Sequence, residues 1–201
     1  MSTTATNNNK VEYGLDDVHY AIVTLNDDGS PVYGPWIAEK NAQTLTDENQ
    51  TASLEVHADN RCILTCRNIT SKNLSLGMSI FSDEFKIKVL SFIETSTGSL
   101  IECTNPEPVY IALGLRVQGD AKNRKLVFPL VQVLGYTSGE NKTVEGTSIT
   151  PQTPKVELKA MPLLFDAVNE KYFIKERFSK GQDKYATLWD TVYTLPTPKT
   201  A

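Results

Sequence analysis

A strict alternation of apolar and polar residues recurs along this chain, and it restricts the fold more than any other feature. In "KVELKAM", Val156, Leu158 and Ala160 alternate with Lys155, Glu157 and Lys159. Side chains on a strand point to opposite faces in turn, so a period of two packs one face and wets the other, as in an antiparallel sheet. "VYIALGLRV" repeats the pattern, with Val109, Ile111, Leu113, Leu115 and Val117 on one face and Tyr110, Ala112, Gly114 and Arg116 on the other. "RKLVFPLVQVLGYT" is apolar on both faces and calls for cover on both. Pro129 within it cannot donate to a ladder, which places an edge or a bulge there. "VHYAIVTLNDDGSPVYG" reads as a β-hairpin turning at Asp28-Gly29. Further strands are expected at residues 54–58, 61–70, 74–80 and 172–178, separated by Gly, Pro, Asn and Asp in the rhythm of a sandwich or barrel.

Two segments carry a helical period instead. In "FSDEFKIKVLSFIE", Ser82 can cap, Asp83 and Glu84 suit the positive end of the dipole, and Phe85, Val89, Phe92 and Ile93 form one stripe. The spacing predicts a helix over 82–93. Near the end, "DKYATLWDTVY" sets Tyr185, Leu188, Trp189 and Val192 at helical intervals behind Asp183, which predicts a short C-terminal helix. With no composition shift to mark a linker, the 201 residues read as one mostly-β domain.

The formal charge of −4 argues against a protein that grips nucleic acid through its phosphates. No apolar run approaches the roughly 20 residues that span a bilayer. The polar start, "MSTTATNNNK", lacks the basic and apolar regions of a signal peptide; residues 1–10 read as a disordered arm and the chain as cytosolic where it is made. The Asn-x-Ser/Thr sequons at Asn49, Asn68, Asn73 and Asn141 then have no glycosylation role. Cys62 and Cys66 lie four apart in a β-like segment, on one expected strand face, and with Cys103 read as buried free thiols.

The chain offers little for catalysis. His19 lies near Asp16 and Asp17, and His57 near Asp59, but a solvated turn and a hairpin turn account for those carboxylates. Phosphate-binding glycine loops, nucleophile elbows and metal-spaced histidine pairs do not appear. No enzyme activity, cofactor or metal is expected.

The order of segments is informative as a whole. "VEYGLDDVHYAIVT", "GSPVYGPW", "EVHADN", "SDEFKIKVL", "VYIALGLRV", "TVEGTSITPQTPKVELKAMP" and "LWDTVY" follow one another, with Gly146 to Pro154 forming a late turn and Trp189, Val192 and Tyr193 closing the run. In this the chain resembles the major tail protein family of long, non-contractile-tailed bacteriophages, the tail-tube subunits, over about residues 11–193. "EVHADN" departs from the family, where an aromatic commonly stands at the position of His57.

The resemblance implies a single tail-tube β domain over 11–201, built of two antiparallel sheets packed as a sandwich or barrel with a flanking α-helix. It implies that subunits close into hexameric rings, which stack into a hollow tube conducting DNA without specific binding. The implied partners are further copies of the chain, the tape measure protein and the tail terminator and baseplate proteins. The implied location is the virion tail, assembled in the host bacterial cytoplasm without a membrane. The alternative is a phage or cell-surface β-sandwich module that recognises carbohydrate or protein.

Within that frame, "AQTLTDENQTASL" is polar, lacks Gly and Pro, and separates two strand-like stretches. It is expected to be a long loop reaching the adjacent ring, with Thr46, Asp47, Glu48, Asn49 and Gln50 as its ring-stacking residues. Strands at 35–46 and 54–58 would then flank it on the inner wall, and Glu39, Asp47, Glu48 and Glu55 are the expected lumen-facing acids, a sign of charge that repels phosphates.

Overall fold

The computed structural model describes residues 14–58, 61–118, 122–139 and 153–198. The expected N-terminal arm, the Asp59-Asn60 step, the Asn141 sequon and most of "GTSITPQTP" lie outside the described residues. In chain order the elements are β1 (Leu15–Leu25), β2 (Pro31–Tyr33), β3 (Ile37–Glu39), β4 (Ala42–Ala58), β5 (Arg61–Met78), α1 (Asp83–Val89), β6 (Ile93–Glu94), β7 (Leu100–Ile101), β8 (Tyr110–Val117), β9 (Lys125–Thr137), β10 (Lys155–Ala160), β11 (Leu163–Asp166), β12 (Lys171–Phe173) and β13 (Glu176–Phe178). The protein is mostly β, with antiparallel pairing and one helix among the described residues.

A nine-stranded sheet makes the body, in the order β2-β1-β8-β9-β10-β5-β4. β3 pairs with β1 and β13 with β9. Two small ribbons, β11-β12 and β6-β7, stand apart from it. Pro129 lies in β9 between the stretches paired to β13 and to β10, and the register of β9 against β8 shifts there, so its missing N–H breaks no ladder bond.

Strands from across the sheet contribute to one core. Val18 and Tyr20 of β1, Leu113 of β8, Phe128 of β9, Leu158 of β10 and Leu74 of β5 meet Phe81, Phe85 and Val89 around α1. For β1 and β5 to share that core the sheet must curl around it. The other face of the central strands is covered as well. Ala21, Val23, Ala112, Val127 and Leu130 lie under Leu163, Phe178, Leu188 and Tyr193 from the C-terminal quarter of the chain. Gly114 has no side chain because Trp189 lies directly over it; a Cβ there would strike the indole ring.

The helix is shorter than its apolar stripe suggests. Ser82 caps it, its Oγ accepting a hydrogen bond from the Phe85 N–H at 3.1 Å. Leu90 ends it, and Ser91 turns the chain away at a φ of 58°. Phe85 and Val89 are buried, while Ile93 falls in β6 and is exposed. The expected C-terminal helix is a run of turns. Tyr185 N–H bonds to Gln182 O, and Asp190 and Thr191 N–H both bond to Thr187 O. Trp189 is held from three sides, stacked on His19 at 4.6 Å, beside Trp36, and donating Nε1–H to Asp17 at 2.8 Å. Those contacts outweigh the little a short helix gains from its own hydrogen bonds.

Phe85 stacks on Phe81 at 4.9 Å and meets Tyr20 edge-on at 5.0 Å. Phe85→Ala should cost about 3–5 kcal/mol of folding stability, as truncation of a core aromatic does. Lys88→Ala, which removes an exposed i,i+4 pair with Glu84, should stay within about 0.5 kcal/mol of wild type. Denaturant melts of both variants check this, and equal effects would contradict the docking of α1.

Candidate assembly surface

The segment expected to be a stacking loop is a strand. Thr46, Asp47, Glu48, Asn49 and Gln50 lie in β4, paired residue by residue with β5. The polar sequence hid this because the strand is held by its partner and not by burial of its own side chains. β10 supports β5 only from Gly77 to Lys72, so beyond Lys72 the strands β4 and β5 continue alone as a two-stranded ribbon. At about 3.3 Å per residue the unsupported part of β5 extends the ribbon by roughly 35 Å. Residues 51–57 and 61–70 are all exposed. The outer edge of β4 has no partner strand among the described residues.

The ribbon is amphipathic all the same. Leu54 lies opposite Cys66 and Val56 opposite Leu64, so these four share a face, while Ser53, Glu55, Thr65 and Arg67 occupy the other. Leu54 is 58% exposed and Leu64 49%. His57 pairs with Cys62, so Ile63 is an extra residue on β5, a bulge that reverses the alternation beyond it. Cys62 therefore does not share a face with Cys66; its Sγ lies 3.3 Å from Thr65 Oγ1 on the polar side. Nor are these thiols buried: Cys103 is half-buried, and Cys62 and Cys66 are exposed because no described residue covers either face of the ribbon.

Of the four acids expected at a lumen, Glu39 is withdrawn by the structure. Its side chain is buried, accepting hydrogen bonds from Ser82 N–H at 2.8 Å and Ser82 Oγ–H at 2.7 Å, and so fixes the start of α1 to β3. Asp47 sits at the root of the ribbon between Lys72 at 2.6 Å and Lys175 at 2.8 Å. Burial pushes its carboxyl upward, but the hydrogen bonds from Lys175 and Lys72 outweigh that and hold it below its ordinary value. Asp47 thus ties the ribbon to the chain just before β13. Glu48 and Glu55 stay exposed and alternate onto opposite faces of β4.

The histidines do not gather catalytic groups. His19 stacks on Trp189 with Nδ1 3.0 Å from Asp17 O, in a bulge of β1 where Asp17 has a φ of 54°. Asp16 beside it accepts two hydrogen bonds from Arg116 at 2.8 Å, and these hold its carboxyl below the usual range. This cluster pins the C-terminal segment to the sheet. His57 is exposed near the ribbon tip. No group of three or more His, Cys, Asp or Glu among the described residues could hold a metal ion. No helix among them is long and apolar enough to cross a membrane.

No protein-family model and no curated protein matches the sequence. Among solved structures, the chain is similar to one in the sheath-tube complex of an extracellular contractile injection system (PVC) in its extended state. That match has 10% identity, covers 89% of this chain and 99% of the other, and has a TM-score of 0.45. It is also similar to a chain of the anti-feeding prophage tube-terminating cap, at 13% identity, 89% and 99% coverage and a TM-score of 0.40. A chain of the anti-feeding prophage baseplate follows at 12% identity, 86% and 99% coverage and a TM-score of 0.37. Likeness this distant carries no functional argument.

The pairing at the ribbon root makes stability pH-dependent. A carboxylate whose folded-state pKa is depressed stabilises above its unfolded pKa of about 4, and the contribution disappears as pH falls through the lower folded value. Wild type should therefore be more stable than Asp47→Asn at pH 7, with the gap closing as the pH is taken below about 4. Paired denaturation curves across pH 2.5–7 measure it, and a gap unchanged with pH would contradict the role given to Lys72 and Lys175.

Proposed function

We propose that this protein is a structural tail-tube subunit, which polymerises as stacked hexameric rings into a hollow tube that conducts DNA. The observation that carries this reading is the ribbon of β4 and β5. An isolated two-stranded hairpin is marginally stable in water, and an exposed edge strand with an apolar face invites another chain. Donating such a ribbon to a neighbouring copy covers the apolar face and occupies the edge. A contact between unlike surfaces closes into a ring or repeats as a stack, depending on its rotation. The resemblance of segment order over residues 11–193 supports the same reading, with the ribbon in the place of the stacking loop. Tape measure, terminator and baseplate proteins are the partners that such a tube requires.

The acidic lumen narrows to Glu48 or Glu55. Because they alternate onto opposite faces, one of them at most lines the channel on any one ribbon face. A channel that repels phosphate lets DNA slide, and six copies of a chain of formal charge −4 supply the sign.

Electron microscopy of the concentrated full-length protein tests the reading. Hollow tubes or six-fold rings are expected, and a chain shortened within the ribbon, with residues 52–68 replaced by a two-residue turn, should fold but not lengthen into tubes. Monodisperse monomers at every concentration would overturn the proposal. Glu48→Lys and Glu55→Lys, made singly, should both assemble, and one of them should retain DNA at low salt and release it as salt rises. Equal and negligible retention by both would remove these acids from the lumen.

A further inference from the structure

At the end of the body away from the ribbon tip lies a groove of about 460 Å³. Leu90, Phe92, Cys103, Pro106, Leu134 and Tyr136 supply much of its lining, and Glu102 and Glu107 stand among them. Its position follows from the register. β5 runs from the tip toward the body and ends at Met78, shortly before α1; Gly77 pairs with Lys155 and Lys155 with Thr137, so the end of β9 that lines the groove is at the ribbon's root end. Leu134 is 56% exposed, and Ile93 and Ile101 on the neighbouring β6-β7 ribbon are exposed too.

We propose that this groove receives the distal half of the β4-β5 ribbon of a second copy of the same chain, an assignment that rests on the tail-tube reading and names the receiving surface in the next ring. Three features fit this occupant. The ribbon presents an exposed apolar face of Leu54, Val56 and Leu64 that no described residue covers, and the groove joins apolar side chains to the Glu102 and Glu107 carboxylates with no occupant among the described residues. Arg61, which alternation beyond Cys62 returns to the apolar face, lies on the exposed ribbon and is opposite in charge to Glu102 and Glu107. Donor and acceptor surfaces lie at opposite ends of one sheet, so the contact is head-to-tail and repeats along a line without closing on itself. The same arrangement keeps a copy from satisfying its own ribbon.

The chain's own thiols report the contact. Cys66 lies on the apolar ribbon face and Cys103 in the groove, at opposite ends of one subunit. In a Cys62→Ser background, a short bismaleimide added to assembled protein should give a covalent ladder on denaturing gels, and the ladder should vanish with either Cys66→Ser or Cys103→Ser. Leu134→Lys should leave the subunit folded and raise the concentration needed for tubes by about tenfold or more, as loss of a packed anchor does. Glu102→Lys with Glu107→Lys should impair stacking, and adding Arg61→Glu should restore it. Tubes visible by microscopy with no Cys66–Cys103 ladder would overturn this contact and leave the tail-tube reading standing. Failure to assemble in any condition would overturn both.

Discussion

β5 is 18 residues long, and β10, its partner on the body side, pairs with six of them, so the far part of β5 and its companion β4 must leave the body as a ribbon. That mismatch in strand length is the constraint on which the rest of the account depends. The body is closed without the ribbon: the curled sheet has a core on its inner face and the C-terminal segment over its outer face. Among the described residues nothing is left to cover Leu54, Val56, Ile63 or Leu64. Burial of such side chains is worth roughly 1.5–3 kcal/mol each, which a neighbouring copy can supply and solvent cannot.

The body is also built to hold the ribbon at a set angle. Asp47 bridges Lys72 on the ribbon to Lys175, and Lys175 leads into β13, which is paired to central strand β9. Glu39 fastens β3 to the cap of α1, the Asp16–Arg116 bonds tie β1 to β8, and the Trp189–Asp17 bond fastens the C-terminal segment to β1. A surface that must meet a partner repeatedly in the same geometry gains from such anchoring, because less freedom is lost on association.

Where burial falls on one face, the sequence announces the strand. β10 is written in alternating apolar and polar residues because one side packs and the other does not, and β8 is apolar almost throughout because both of its faces are covered. Ser82 is readable as a cap because it needs only its own N–H partner three residues on. β4 is unreadable by that rule. Between Thr46 and Ser53 both faces are polar, and the strand exists because β5 pairs with it. The exposed cysteines deceive for a related reason: "RCILTCRNIT" has the composition of a covered strand, but no described residue covers it. Glu39 gives no local sign of burial, since its partner Ser82 is 43 residues away. The last turns read as a helix because Tyr185, Leu188 and Trp189 have helical spacing, although the sheet beneath them, and not a helical ladder, sets their places.

On the proposed reading another copy of the chain completes the ribbon. Amide hydrogen exchange, followed separately in the monomer and in the assembled polymer, tests it at the residues concerned. Residues 51–57 and 61–70 should exchange orders of magnitude faster than β8 and β9 in the monomer, since an unsupported ribbon opens at little cost, and should become as protected as those strands on assembly. Strong protection of the ribbon in the monomer, or none gained in the polymer, would contradict the account.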